Sequence, residues 1–162
     1  MSIVGVRFDE RLIHGQVVTF WTNSLKAERI VVLDEKAATD EIVKAALRMA
    51  VPEGVKSSII LKEKFAENYK AGKYGTQRLF IVFRDMDVLK YLVDEGIAIT
   101  EVNLGNHSQK AGDTRISGNF CVSPHDVEVI RELEAKGVHF VARLTPQAEE
   151  QQADDLLKKA GL

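Results

Sequence analysis

The segment Ile30-Val31-Val32-Leu33 decides the fold class, because it is apolar at every position and polar residues flank it on both sides. A strand with one buried face alternates apolar and polar residues, whereas an uninterrupted apolar run indicates a strand that is covered on both faces. The segment Ile59-Ile60-Leu61 has the same character. Strands of this kind occur in parallel sheets that carry helices on each side, so the sequence predicts an α/β protein.

Outward from this segment, short β-branched runs alternate with helical patterns along the chain. The predicted strands are 3–8, 29–33, 56–61, 78–83, 101–104, 116–122 and 138–144. The predicted helices are 15–25, 40–51, 64–71, 85–95 and 124–136, and a weakly amphipathic tail at 146–162 is expected to end as a helix that turns Ala153, Leu156, Leu157 and Ala160 inward. The alternation predicts βαβ units and an open, mostly parallel sheet of about seven strands.

Several helix boundaries carry recognisable capping residues. Asp40 can cap the second predicted helix, and Ser123-Pro124 combines a cap with a proline at the first helical position. Gly96 and Gly137 follow two predicted helix ends, where a left-handed residue closes the last turn. The polar stretch 105–114 has no apolar helical stripe, and we expect it to form a lid or a docking loop.

Length and composition limit the class of protein. The 162 residues predict a single domain, 1–162, and the 22 basic and 24 acidic residues are mixed along the chain, so nucleic acid is not an expected partner. The longest apolar run, Leu79–Phe83, is far too short to span a bilayer, and the N-terminus lacks the pattern of a signal peptide. The single cysteine, Cys121, cannot form an internal disulfide. These features predict a reduced, cytoplasmic protein.

The residues that follow each strand are the candidates for a functional site, because open parallel sheets bind ligands beyond the carboxyl ends of their strands. First and second strands are often neighbours, so we expect the groups that follow them to cluster. The candidates after the first, second, fourth and fifth strands are Asp9, Glu10, Arg11 and His14; Asp34, Glu35 and Lys36; Arg84 and Asp85; and Asn106 and His107.

The loop after the first strand carries the residue types that phosphoryl transfer requires. A neutral imidazole at His14 offers a lone pair for attack on phosphorus, and Arg11 offers a bidentate fork for phosphoryl oxygens. The unpaired backbone N–H groups around Gly15, Gln16 and Val17 add partial positive charge at the start of a helix. The sequence therefore predicts that His14 is a phosphate acceptor.

The run Arg7-Phe8-Asp9-Glu10-Arg11-Leu12-Ile13-His14-Gly15-Gln16-Val17, followed by Trp21, closely resembles a known signature. It is that of the IIB subunits of the mannose/fructose/sorbose (also N-acetylgalactosamine) class of the bacterial phosphoenolpyruvate-dependent sugar phosphotransferase system. The resemblance extends over essentially the whole chain, through segments 30–35, 102–106 and 136–138. The loop Gly105-Asn106-His107-Ser108 departs from the Gly-Gly-Met or Gly-Asn-Met of many relatives.

The resemblance implies a phosphotransferase that carries a phosphoryl group on His14. The group would come from a phosphohistidine on the partner IIA protein and pass to a sugar carried by the membrane subunits IIC and IID, on the inner face of the membrane. Arg11 would contact the phosphate and Asp9 would order the loop, while Gly15 and Gln16 would complete the phosphate site. Asp34, Lys36 and His107 would lie at its periphery.

The same resemblance implies a three-layer α/β/α sandwich whose mostly parallel sheet has one antiparallel edge strand. It implies no metal and no organic cofactor, and it leaves a homo-oligomer open. Trp21 and Cys121 are expected in the core, and His125 and His139 are expected to be structural or surface residues.

Three alternative functions stay open on the residues alone. A receiver-type signalling domain would use Asp9 and Glu10, but the third strand ends without an aspartate to accept phosphate. A metal-dependent hydrolase would use Asp9, His14 and Asp34, although the sequence has no compact ligand spacing. A regulatory module would keep the fold without transferring phosphate, and the intact Arg11 and His14 argue against it.

Overall fold

A seven-stranded sheet runs through the middle of the protein in the computed structural model, which describes residues 2–162. The strand order is β3-β2-β4-β1-β5-β8-β9, and every pair is parallel except β8 and β9. The strands are β1 Ser2–Asp9, β2 Arg29–Leu33, β3 Lys56–Ile60, β4 Arg78–Phe83, β5 Glu101–Asn106, β6 Thr114–Ser117, β7 Phe120–Val122, β8 His139–Ala142 and β9 Gln151–Gln152. The predicted mostly parallel sheet with one antiparallel edge strand is confirmed.

Helices cover both faces of this sheet. The helices are α1 Gly15–Leu25, α2 Glu35–Thr39, α3 Glu41–Met49, α4 Lys62–Lys70, α5 Met86–Asp94, α6 Pro124–Ala135 and α7 Ala153–Lys159. Apolar residues of α1, α2 and α3 pack on one face in a core with Ile30 and Val32, and those of α4 to α7 pack on the other face with Val31 and Leu33. Successive residues of β2 therefore serve different cores, which explains why this segment is apolar at every position. No helix within residues 2–162 is long and apolar enough to cross a membrane.

The expectation that the first two strands are adjacent in the sheet is wrong, because β4 lies between β1 and β2. Leu79 to Phe83 of β4 pair with β1 on one side and with β2 on the other. The crossover from β1 through α1 passes over the position that β4 later occupies. The apolar and polar patterns of single elements do not show that β1 and β2 are separated by another strand. The strand order could therefore not be predicted from them.

The predicted strand 116–122 is also wrong as a single element. Residues Gly118 and Asn119 break it into a hairpin of β6 and β7, which forms a separate antiparallel pair and does not enter the main sheet. The apolar residues Ile116, Phe120 and Val122 are buried in the same core as α6 and α7. The two-residue strand β9, which was not predicted, forms the seventh strand of the main sheet.

The predicted helix caps are present. Asp40 accepts hydrogen bonds from the N–H groups of Ile42 and Val43, and Ser123 forms a reciprocal capping box with Asp126. Gly96 and Gly137 have positive φ angles. Helix α1 has the predicted bounds, and the ends of α3 to α6 lie within two residues of those predicted, since a helix pattern defines a buried face better than it defines an end.

Two helical segments differ more from the prediction. The short helix α2 was not predicted, and the tail at 146–162 is helical only within α7. The side chains of Ala153, Leu156 and Leu157 are buried as expected, and Ala160 packs partly buried against the same core. Trp21 and Cys121 are buried, as the sequence indicated.

Candidate functional site

The loop between β1 and α1 crosses the carboxyl edge of the sheet and is anchored by its two apolar residues. Leu12 and Ile13 are buried in the core beneath α1. Leu12 adopts a left-handed φ of 60°, which costs a residue with a β-carbon roughly 1–2 kcal/mol. Burial of two aliphatic side chains offsets this cost. The anchoring turns the next residue, His14, towards solvent.

Asp9 is the centre of a charged cluster at the start of this loop, although its own side chain is only 3% exposed. Its Oδ1 accepts hydrogen bonds from the backbone N–H and from Nε of Arg11, at 3.0 and 3.2 Å. Its Oδ2 accepts from Nη2 of Arg11 and Nη2 of Arg7, at 3.3 and 3.4 Å. Two guanidinium groups share one carboxylate, so the three side chains together carry a net positive charge.

Asp9 fixes one edge of the Arg11 guanidinium, and the side chain is still partly exposed to solvent. Both contacts with Asp9 use the edge of the guanidinium formed by Nε and Nη2. The side chain remains 33% exposed. A guanidinium group that is fixed along one edge and accessible at the other is suited to binding a phosphoryl group.

Arg7 is buried in β1 beneath the loop, and sequence reasoning gave it no role. Its Nη1 donates to the carbonyl oxygen of Arg143 at 3.0 Å, and its guanidinium lies 5.3 Å from the centre of the Trp21 ring. Burial lowers the pKa of the Arg7 guanidinium, and the neighbouring Asp9 carboxylate opposes that effect. A β-carbon at Gly105 would lie 2.2 Å from Cζ of Arg7, so the glycine on β5 provides the space for this side chain.

His14 occupies the N-cap position of α1 with extended backbone angles, φ −142° and ψ 120°. Its side chain does not cap the helix, and the first turn contains no acidic residue. His14, Gly15 and Gln16 are all exposed, and Gly15 has a positive φ, with no atom within 4 Å of the position that a β-carbon would take. The imidazole therefore stands beside uncapped backbone N–H groups at the positive end of a helix, where an anion is stabilised.

Asp34 reaches the same loop through Arg84, the residue that follows β4. Arg84 forms a bidentate ion pair with Asp34, at 2.9 and 2.7 Å, and its Nη1 donates to the carbonyl oxygen of Glu10 at 3.4 Å. Asp34 also caps α2 by accepting from the N–H of Ala37. The predicted cluster of the first two strand ends therefore forms indirectly, across the intervening β4.

The loop after β5 contacts the β1–α1 loop from the other side. Glu10 donates its backbone N–H to the carbonyl oxygen of Asn106, and its carboxylate accepts from the Ser108 hydroxyl at 2.9 Å. Lys110 lies 3.6 Å from the same carboxylate. Burial raises the pKa of Glu10, but the hydrogen bonds from Ser108 and the charge of Lys110 outweigh it, so the pKa lies below its usual value.

His107 is an anchor of that loop. Its Nδ1–H donates to the carbonyl oxygen of Cys121 at 2.8 Å, and its ring packs 5.0 Å from Phe8 and 5.5 Å from Phe120. The structure thus places the His107 side chain at the base of the stretch 105–114, which was expected to be a lid or a docking loop. Lys36 is exposed on α2 and lines a separate surface depression with Lys62 and Glu63.

The carboxylates named in the metal hypothesis do not meet. Asp9 is bound by Arg7 and Arg11, and Asp34 is bound by Arg84. Within residues 2–162, no three His, Cys, Asp or Glu side chains are grouped so that they could hold a metal ion. The cluster around Asp9 is instead cationic, which favours an anionic ligand.

The chain shows clear similarity to known proteins. A family model described as PTS system sorbose subfamily IIB component matches residues 3–162. The chain belongs to this IIB family. The sorbose-specific EIIB components of Lacticaseibacillus casei and Klebsiella pneumoniae are 35% and 31% identical to it, each over 89% of the chain and 88% of the relative.

A longer IIB relative is the mannose-specific EIIAB component of Escherichia coli (strain K12), which is 31% identical over 97% of this chain. The match covers 49% of that protein, so the chain spans about half the length of the curated mannose-specific relatives it matches.

Solved structures of similar proteins share the fold. The IIBSor domain of the sorbose permease from Klebsiella pneumoniae has a TM-score of 0.94 at 28% identity, covering 98% of both chains. ManxB from Thermoanaerobacter tengcongensis has a TM-score of 0.91 at 30% identity, covering 98% of this chain and 96% of that chain. The similarity confirms the expected α/β architecture over nearly all of the protein.

Proposed function

We propose that this chain is a phosphocarrier of a sugar phosphotransferase system, with His14 as the transient phosphohistidine. The observation that carries the proposal is the exposed imidazole of His14 at the uncapped start of α1, on the same loop as an arginine fixed by Asp9. Membership of the IIB family supports it. The donor would be a phosphohistidine on a IIA protein, and the acceptor would be a sugar presented by membrane subunits IIC and IID.

The chemistry assigns a role to each group. The free lone pair of the His14 imidazole attacks phosphorus, so that a new N–P bond forms as the N–P bond of the donor histidine breaks. Arg11 and the backbone N–H groups of Gly15 and Gln16 hold the equatorial oxygens. In the second step a sugar hydroxyl attacks phosphorus, the N–P bond to His14 breaks, and the hydroxyl proton is released.

We infer the class of sugar acceptor and the contact with membrane subunits by extension from the relatives of this chain. The relatives and solved structures include proteins specific for mannose, sorbose, fructose and N-acetylgalactosamine, all hexoses or hexose derivatives. We extend this class of acceptor to the chain. The carrier would act as a protein-phosphohistidine–sugar phosphotransferase at the cytoplasmic face of the membrane, docking on IIC and IID.

Intact-mass measurement tests the proposal directly. The protein is incubated with phosphoenolpyruvate, the general phosphotransferase proteins and a matching IIA, and the expected product carries one added phosphoryl group that is lost in acid. His14→Gln should abolish the addition, whereas the matched variant His139→Gln at an exposed strand end should retain it. Labelling that persists in His14→Gln, or no labelling of the native chain by an active IIA, would reject the assignment. The second result would favour the regulatory alternative.

A further inference from the structure

Helix α3 is apolar on its outer side as well as on the side that faces the sheet. Val43 and Leu47 pack in the core beneath the helix. Ile42 and Met49, in contrast, are 83% and 88% exposed, whereas no other large apolar side chain within residues 2–162 is more than 42% exposed. A helix that is apolar all round is normally covered on all sides, so the outer side of α3 indicates a further contact.

The exposed apolar residues of α3 form one continuous stripe. Ala45 and Ala46 are exposed and lie between Ile42 and Met49, at spacings of three and four residues. Residues at these spacings are neighbours on the surface of a helix. The outer stripe, Ile42, Ala45, Ala46 and Met49, therefore has a large residue at each end and small residues in the middle. The small residues allow a second helix to approach closely at this point.

The outer stripe is nearly symmetric about a point between Ala45 and Ala46. If a second copy of α3 lies antiparallel across it, Ile42 of each copy contacts Met49 of the other, and Ala45 contacts Ala46. Each copy then uses the same patch of surface, as a two-fold homodimer requires. The outer stripe is therefore complementary in shape to a second copy of itself.

The charges beside the stripe favour the same antiparallel arrangement. Glu41 and Arg48 each directly precede a large residue of the stripe, so they lie on one flank at opposite ends of the helix, and both are exposed. The Glu41 carboxylate lies 3.6 Å from Nζ of Lys44 and is still 82% exposed, while Arg48 has no carboxylate partner within residues 2–162.

An antiparallel pair of α3 helices places Arg48 of each copy beside Glu41 of the other, and it also opposes the two helix dipoles. A parallel pair would instead bring like charges together at both ends. Charges that flank an apolar helix contact set the partner and its orientation in this way. The flank of the stripe is thus complementary in charge to a second copy.

We propose that the outer stripe of α3 is the contact surface of a weak homodimer, in which two copies of this chain pair through antiparallel α3 helices. The helix has nine residues and is about 14 Å long, so the contact is smaller than the interface of a stable dimer. The dimer should therefore be reversible, with a dissociation constant between about 10 μM and 1 mM. No residue of the stripe belongs to the β1–α1 loop, so dimerisation is independent of the proposed transfer step.

Sedimentation equilibrium over this concentration range measures the association, and we expect the native protein to show a reversible monomer–dimer equilibrium. Met49→Gln should raise the dissociation constant at least tenfold without changing the melting temperature, because this side chain is exposed in the monomer. Leu162→Gln is the matched control. It alters an exposed apolar side chain beside α7, on the opposite face of the sheet, and should dimerise like the native protein.

Charge reversal tests the antiparallel orientation. Arg48→Glu places two carboxylates beside each other at both ends of the contact, and Glu41→Arg places two guanidinium groups there, so each variant should weaken the dimer about tenfold. The double variant Glu41→Arg/Arg48→Glu restores opposite charges across the contact and should regain most of the native affinity. Thermal unfolding of each variant shows whether α3 is still folded.

The proposal is overturned if the native protein stays monomeric up to the highest concentration, or if Met49→Gln dimerises as well as the control. It is also overturned if the double variant dimerises no better than the single variants. Native monomers that bind anionic phospholipid vesicles through Ile42 and Met49, without self-association, would assign the stripe to a membrane surface instead. None of these measurements depends on phosphate transfer, so a failure here and a failure of the proposed carrier function are distinguishable.

Discussion

Asp9 controls the charge of the β1–α1 loop, because it is the single carboxylate between two guanidinium groups. Its contacts fix the orientation of Arg11 and compensate the buried charge of Arg7. In the proposed transfer step Asp9 does not touch the phosphoryl group. It acts as a positioning residue, and its effect should appear both in rate and in stability.

We expect Asp9→Asn to slow phosphorylation of His14 by about a hundredfold and to destabilise the fold by about 3–5 kcal/mol. The reason is that the amide keeps the shape of the side chain but leaves Arg7 buried without its counter-charge. Single-turnover transfer from phospho-IIA and chemical unfolding measure the two effects. Asp155→Asn, at an exposed position of α7, is the matched control. Native-like stability of Asp9→Asn would contradict the role assigned to the buried pair.

Arg11 should be sensitive to geometry as well as charge. We expect Arg11→Lys to slow transfer about tenfold and Arg11→Ala to slow it further, because lysine retains the charge but not the fork that Asp9 orients. Stability should change by less than about 1 kcal/mol, since the side chain is one-third exposed. Equal rates in the native and Arg11→Lys proteins would mean that only charge matters at this position.

The residues of the β1–α1 loop were predictable from the sequence because they are adjacent in it. Asp9, Arg11 and His14 belong to one short segment, so their common position at a strand end follows from the strand pattern alone. Arg7 was missed, although a charged residue within an otherwise apolar strand is a detectable signal. Its partners Gly105 and Arg143 lie on other strands or loops, and no local pattern connects them with β1.

At the scale of elements, the packing of the Arg7 side chain of β1 against β5 depends on a glycine. We expect Gly105→Ala to destabilise the protein by about 1–3 kcal/mol and to slow transfer, because the new β-carbon would displace the Arg7 guanidinium from Asp9. Gly118→Ala is the control, since nothing lies within 4 Å of a β-carbon there. Thermal unfolding and the single-turnover assay report on both variants. Equal melting temperatures in the two variants would show that Arg7 relocates without cost.

The first turns of α5 and α6 are joined by a titratable pair. Nε2 of His125 lies 2.7 Å from Oδ1 of Asp87, and this hydrogen bond raises the pKa of the histidine above its ordinary 6.5. A group whose pKa is raised on folding contributes stability that is fully present below the unfolded pKa and is lost as the pH rises through the folded value.

The stability of the native protein should therefore have a small component that disappears as the pH rises above about 6.5. His125→Gln should remove this component, and NMR titration of the imidazole should give a midpoint above the ordinary value. The contribution is expected to be small because the pair is exposed. A midpoint at or below the ordinary value would show that the pair does not form in solution.

For the whole molecule, strand order is the property that determines which groups share the site, and it was not accessible to sequence reasoning. The helix and strand patterns predicted the fold class because the apolar positions of each element show which of its faces are buried. They could not show that β4 separates β1 from β2, since that arrangement depends on the crossovers between elements. The consequence is that Arg84, at the end of β4, links Asp34 to the loop that carries His14.

A double-mutant cycle tests whether the contact between Arg84 and Asp34 helps to position the loop that carries His14. Arg84→Gln should remove the donor to the Glu10 carbonyl and slow transfer several-fold, whereas Asp34→Asn should preserve the cap of α2 while breaking the ion pair. Because the two side chains act through one contact, the double variant should be little worse than Arg84→Gln alone. The coupling energy in unfolding experiments should be about 0.5–3 kcal/mol. Additive effects on rate and stability would mean that Asp34 and Arg84 act independently, and that β4 contributes to the sheet without positioning the loop.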